Sequence, residues 1–155
     1  MNEKAPTNEY QEEVLEALAA AAPAEANLNL PPAIFEELRP RILDYVPRKL
    51  ITLTFAAVPR FGDPRKHLSG GYFTMTFDLA FSMLALLTAR RPCACLTLNT
   101  SFIRPLPADE APFTVEARVR ALSGSVLFLE AKASNEDDKT LVTATSTMNV
   151  LKSTR

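Results

Sequence analysis

Asp78 is the only acidic residue in residues 70–89, a run made otherwise of Phe, Met, Leu, Ala, Tyr, Gly, Thr and Ser. In a helix Thr74, Asp78 and Ser82 fall at i, i+4 and i+8, so they share one stripe of the cylinder. Burying a carboxylate disfavours its charged form and raises its pKa unless donors surround it, and an uncompensated buried charge is costly. A carboxylate in such surroundings is a candidate for proton transfer or nucleophilic attack. The residue types alone also allow a plainer role, in which Asp78 accepts hydrogen bonds from a neighbouring strand.

Gly70 and Gly71 come just before the helix expected from this run, where a helix presents free backbone N–H groups and the positive end of its dipole. Without side chains there, a ligand can approach those amides, which is the requirement for an oxyanion site. A flexible turn leading into the helix is the alternative use of the same pair. His67, the only histidine, lies in the polar loop ahead of the glycines. Cys93 and Cys95 are two residues apart, too close for the usual disulfide geometry and short of the four ligands of a structural zinc site. They are expected to be reduced thiols, and Cys95 has no evident base to make it a nucleophile.

Several elements must hold these residues in place. Residues 9–22 carry Val14, Leu15, Leu18, Ala19 and Ala22 at helical spacing, and Pro23 ends that helix. Residues 31–47 open with Pro31-Pro32 and continue through Ile34, Phe35, Leu38, Ile42 and Leu43, which predicts a helical segment interrupted at Pro40 and closed at Pro47. Residues 50–58 alternate, with Ile51, Leu53, Phe55 and Ala57 facing one way, as a half-buried strand does. The long helix follows at about residues 72–89 and is apolar almost all round, the mark of an enclosed element.

Four more strands are separated by turn signals at residues 105–112, 123–124 and 135–139. Leu96, Leu98 and Phe102 are expected on one face of the first of these, and Phe113, Val115, Ala117, Val119 and Ala121 on one face of the next. Leu127, Leu129, Ala131 and Ala133, then Val142, Ala144, Met148 and Val150, supply the inner faces of the last two. The expected class is α+β: an antiparallel sheet of about five strands wrapped round a long central helix, with an N-terminal helical extension. Residues 1–48 form that extension and residues 49–155 the main domain.

In this setting the residues carry a resemblance. Ser69-Gly70-Gly71, Asp78 seven residues after the second glycine, and a strand ending Phe102-Ile103-Arg104-Pro105 resemble the hotdog thioesterases of the phenylacetate-degradation type. Those proteins show His-Gly-Gly, an acidic residue one to two helical turns later, and a strand ending Phe-Leu-Arg-Pro. The likeness spans residues 49–152. It implies an acyl-CoA thioesterase whose active site is shared between two subunits. Gly70 or Gly71 of one subunit polarises the thioester carbonyl, and Asp78 of the other activates water or attacks directly. Ser69, His67, Thr74, Ser82, Cys95, Thr97 and Arg104 are the implied substrate-binding residues. Arg60, Arg65, Lys66, Arg90 and Arg91 are further candidates for the phosphates of coenzyme A, which is part of the substrate rather than a cofactor. Three positions depart from the pattern. Ser69 stands where the family has His, the loop Asn common in the family is Asp63 here or is absent, and Cys95, with Thr97 expected next on the same face, stands where the second strand often has Ser or Thr. The missing imidazole leaves open an acyl-CoA-binding protein without catalysis, while a dehydratase, which needs a catalytic His, ranks below both.

Composition bounds the partners. At 155 residues, 47% hydrophobic and 23% charged, the chain is long enough for one real core. Seventeen Lys and Arg against eighteen Asp and Glu leave a net charge of −1, which gives no footprint for nucleic acid or an anionic membrane. Residues 70–89 have the length of a membrane span, but a central Asp opposes insertion by roughly 2.5–3.5 kcal/mol. The polar residues 1–10 lack the pattern of a secretory signal. The expectation is a cytoplasmic homodimer, or a homotetramer built from two dimers, with no metal.

Overall fold

A helix that is apolar on nearly every side needs cover on nearly every side, and the chain supplies it with a curved sheet. The computed structural model describes residues 9–152. The expected reading of residues 1–10 as polar and without a signal falls almost wholly outside that range. The described chain runs α1 (Glu9–Ala19), α2 (Ala33–Leu38), β1 (Arg41–Val46), β2 (Leu50–Phe55), α3 (Gly70–Ala89), β3 (Cys93–Phe102), β4 (Phe113–Ser123), β5 (Val126–Ser134) and β6 (Thr140–Val150). The strands form one antiparallel sheet in the order β1-β2-β4-β5-β6-β3. This is the hotdog arrangement expected from the sequence, with six strands rather than about five.

The sheet's inner face is built from the alternating apolar residues of its strands. Ile51, Leu53 and Phe55 of β2, Phe113, Val115 and Ala117 of β4, and Leu127, Leu129 and Ala133 of β5 are buried against Phe77, Ala80, Phe81 and Leu84 of α3. The helix has the length and hydropathy of a membrane span, yet most of it is buried inside the protein, as the core helix of a soluble protein is. It begins at Gly70, two residues earlier than expected, because the Ser69 hydroxyl caps it by accepting from the Tyr72 amide at 3.4 Å.

The sixth strand corrects the sequence reading. Ile42 and Leu43 were expected in a helical segment, but α2 stops at Leu38, where Arg39 turns left-handed (φ 46°), and Pro40 cannot continue a helix. Residues 41–46 instead pair with β2, and Ile42 faces Leu53 in the core. Two bulges also shift expected faces. The extra residue Leu96 in β3 leaves Leu96 exposed rather than beside Leu98 and Phe102. Arg120 in β4 does the same to Ala121, which pairs with the exposed Phe128 instead of continuing the inner face of Val119.

The sheet's two edges are treated differently. Along β1 the helix α1 supplies side-chain partners: Gln11 Oε1 accepts from the Ile42 amide at 3.0 Å, and the Tyr10 hydroxyl accepts from the Tyr45 amide and donates to the Tyr45 carbonyl. Among the described residues β3 has β6 on one side and no strand on the other. Gln11→Ala removes the acceptor from a partly buried amide, so it is expected to lower stability by about 1 kcal/mol, read as a lower urea midpoint with an unchanged slope.

Candidate active site

Burial along α3 leaves a single open stripe. Tyr72, Phe73, Thr76, Phe77 and nearly all residues from 79 to 88 are buried, whereas Gly71 is exposed and Thr74, Met75, Asp78 and Ser82 are half-buried. These five positions follow helical spacing and lie along one face. The predicted Thr74, Asp78 and Ser82 row is therefore the part of the helix that its own sheet does not cover.

Asp78 is the charged group on that stripe. Burial alone pushes its carboxyl above the ordinary carboxylate range, with no cation or hydrogen-bond donor offsetting it. The plainer role, accepting hydrogen bonds from a strand, has no donor to support it among the described residues. Thr74 is otherwise engaged, since its hydroxyl donates to the Gly70 carbonyl at 2.8 Å.

The helix start is built by the loop before it. Asp63 Oδ1 accepts from the amides of Arg65 and His67 at 2.8 and 3.0 Å, and these contacts hold the Asp63 carboxyl below its ordinary range, with the His67 amide the larger cause. Ser69 N donates to the Phe61 carbonyl and Leu68 N to the Leu106 carbonyl, fixing the loop on both sides. In the first turn of α3 no acceptor among the described residues takes the Gly70 or Gly71 amide, as expected at a helix N-terminus. Gly71 is open on all sides, whereas a Cβ on Gly70 would come within 2.8 Å of the Phe102 ring.

Beside this end lies a cleft of about 480 Å³ lined by Asp63, Arg65, His67, Gly70, Phe102 and Arg104, among others. The structure thus brings His67, Gly70 and Arg104 together, with Ser69 adjoining. The buried His67 Nδ1 has no hydrogen-bond partner among the described residues, and Arg104 Nη1 donates to the Thr140 carbonyl at 2.7 Å. Arg60 stacks on Phe61, and Arg65 pairs with Asp63 at 3.5 Å. Arg90 and Arg91 lie past the other end of α3, about 30 Å from Gly70 at 1.5 Å per residue. Arg90 Nη2 there donates to the Ala20 carbonyl at the end of α1.

Cys95 and Thr97 do not share a face. The bulge at Leu96 keeps Cys95 opposite the buried Met148 on the helix side and turns Thr97 outward, where its hydroxyl meets that of Thr147 at 2.8 Å. The expectation of Thr97 beside Cys95 fails because an inserted residue reverses the alternation. Cys95 Sγ donates to the Thr97 carbonyl and touches Ser146 Oγ at 3.8 Å, with no base beside it. Among the described residues no three His, Cys, Asp or Glu side chains converge as metal ligands would.

A family model described as the thioesterase superfamily matches residues 65–142, half of the chain and the whole of α3. The chain belongs to the thioesterase superfamily. A search of curated proteins found no match. Among solved structures, this thioesterase-superfamily chain is similar to a phenylacetic acid degradation-related protein of Ralstonia eutropha JMP134. The two are 25% identical with a TM-score of 0.69, over 81% of this chain and 95% of that one. The PaaI protein of the E. coli phenylacetic acid degradation operon superposes with a TM-score of 0.74 at 15% identity, over 92% and 96% of the two chains. A mutant thioesterase of Pseudomonas aeruginosa gives 0.70 at 24% identity, over 88% and 93%. The phenylacetate-degradation-type resemblance read from Gly70, Gly71 and Asp78 is thus matched by these neighbours.

Sequence reasoning missed Phe102 as the ring that packs on Gly70, because nothing in an alternating strand names its contact across the fold. It also missed Met75 as part of the open stripe.

Two outcomes follow from this geometry. Gly71→Ala, in open space within a helix, should raise stability by about 0.5–1 kcal/mol, whereas Gly70→Ala must displace the Phe102 ring and should gain less or lose; thermal melting separates them. Asp78 carries a raised folded-state pKa, so its favourable contribution is complete below the unfolded carboxyl value and is lost as pH rises through the folded one. Asp78→Asn should therefore be more stable than the native chain at neutral pH, with the difference shrinking in acid unfolding titrations.

Proposed function

We propose that the protein hydrolyses acyl-CoA thioesters to a free acid and coenzyme A, in a cleft shared by two copies of the chain. The observation that carries this reading is Asp78, a carboxylate with no partner among the described residues, on the one uncovered stripe of a buried apolar helix. A base with a raised pKa is better matched to proton transfer near neutral pH. In the reaction Asp78 takes a proton from the water that attacks the thioester carbonyl and passes it to the departing thiolate, or it attacks that carbon itself and forms a mixed anhydride that water then hydrolyses to the free acid. The resulting oxyanion is met by the Gly70 and Gly71 amides, and collapse expels the thiol of coenzyme A.

The need for two copies follows from length. Eight residues of helix separate Gly70 from Asp78, about 12 Å along the axis at 1.5 Å per residue. One carbonyl group cannot touch both groups in the same chain, so a site that uses both draws its amides from a sister subunit. The unpaired edge of β3 supports such a pairing, because a bare strand edge is a template for another chain. A homotetramer would be two of these dimers.

In this reading His67, Arg65 and Arg104 line the cleft by the helix start and meet the coenzyme A arm, while Thr74, Ser82 and Cys95 border the acyl group. Coenzyme A enters as substrate and no separate cofactor takes part. The near-neutral charge and the unpaired thiols fit a cytoplasmic enzyme.

A second reading has one observation in its favour. The position before the glycines holds Ser69, whose oxygen is used as the helix cap, in place of an imidazole donor. A protein of this kind would bind acyl-CoA without cleaving it. Asp78→Asn decides between them: under the hydrolase reading it lowers thiol release by about 10²–10⁴-fold while the chain stays folded. Full activity in that variant refutes the role of Asp78, and tight binding with no thiol release in the native protein establishes the binding reading.

A further inference from the structure

The uncovered stripe of α3 leads to a second cavity, one that the N-terminal extension helps to wall. About 290 Å³ in volume, it is lined by Leu28, Leu30 and Pro32 of the extension and by Met83 and Leu86 of α3, with Leu18 of α1 also on its wall. Ser82 lines it too. Ser82 lies one helical turn beyond Asp78 on the same stripe, so the cavity begins about 6 Å along the axis from the carboxylate. Its walls are mostly apolar, with Asn29, Ser82 and Cys93 the polar side chains and no charged one among them, and it lies away from the helix start with its His67 and Arg104 cleft. A charged or phosphorylated group meets no opposite charge here, whereas a hydrocarbon meets mostly apolar wall.

We propose that this cavity is the acyl-group pocket and that Leu28 and Leu30 of the N-terminal extension set the longest acyl chain accepted. The inference rests on the hydrolase reading of Asp78 and specifies its substrate class. From Asp78 to Leu86 is eight residues, about 12 Å of helix axis. An extended chain advances about 3.3–3.6 Å for every three bonds, so roughly ten bonds fill that length. The cavity volume, about 290 Å³, lies just below the range of about 300–1,000 Å³ found for small-ligand sites. Both measures point to medium-chain acyl groups, near octanoyl and decanoyl, rather than palmitoyl.

Leu28 is well suited to limit the pocket. It is 41% exposed in an irregular segment, which makes it an apolar side chain held at the cavity wall rather than a member of the central core. A larger residue there shortens the pocket without disturbing the sheet. Leu30 packs against the core cluster and forms the same wall, so trimming it deepens the pocket.

The test uses the full chain, Leu28→Trp and Leu30→Ala, with acetyl-, butyryl-, hexanoyl-, octanoyl-, decanoyl- and palmitoyl-CoA, read as kcat/KM from thiol release. The same series is titrated calorimetrically against Asp78→Asn, alone and combined with Leu28→Trp. The native chain should favour octanoyl- and decanoyl-CoA. Leu28→Trp should lose roughly tenfold on those two, the scale set by a methylene or more of lost pocket, with butyryl-CoA nearly unchanged, and Leu30→Ala should improve palmitoyl-CoA. Equal scaling at every chain length, or no change at all, overturns the pocket assignment even if the enzyme is active. If no acyl-CoA is cleaved by the native chain, the hydrolase reading fails, and binding judges the pocket. A selective loss of decanoyl-CoA affinity on adding Leu28→Trp supports it, and unchanged affinity overturns it.

Discussion

The fold depends on enclosing one helix. With Phe77, Ala80, Phe81 and Leu84 buried, α3 has no solvent-compatible side except the row from Gly71 to Ser82. The curved sheet exists to cover the rest, and its inner residues are chosen at every second position to do so. What remains uncovered is then defined by subtraction, and that remainder holds a carboxylate whose pKa burial raises. The apolar enclosure and the reactive group are two results of the same constraint, because the desolvation that packs the helix also disfavours charge on Asp78.

A second constraint acts at the helix start. Loop residues 59–69 are tied down by Asp63, by the Ser69 amide and by the contact of Leu68 with Leu106, so the first turn of α3 is presented rigidly. Ser69 satisfies one amide of that turn and leaves those of the two glycines without an acceptor. The Phe102 ring explains why the first glycine has no side chain, whereas the openness around the second has no packing explanation. A position that packing leaves free to be larger, yet is glycine, fits a place where a ligand approaches backbone.

Much of this was legible in the residues. The long apolar run, the i, i+4, i+8 row and the clean alternation of β2, β5 and β6 give the helix, its stripe and the inner sheet face directly. The misreadings have local causes. Residues 41–46 have no clean alternation, because Asp44 and Leu43 are exposed along an irregular edge strand, and proline punctuation hides the strand behind a helical pattern. Leu96 and Arg120 are single inserted residues, and a bulge has no period by which to see it. Thr97 was misplaced for that reason alone. The cavity walled by Leu28 and Leu30 joins segments more than fifty residues apart from Ser82 and Met83, and no pattern within either segment announces the other.

The unequal treatment of the sheet's borders limits how the molecule can grow. Along β1, Gln11 and the Tyr10 hydroxyl occupy backbone groups that another chain would need, so hydrogen-bonded extension is blocked there. Among the described residues, the only sheet edge left open to strand addition is β3. When two such molecules meet through that border, each consumes its single free side, and the ribbon ends in a closed twofold pair instead of an open-ended fibre.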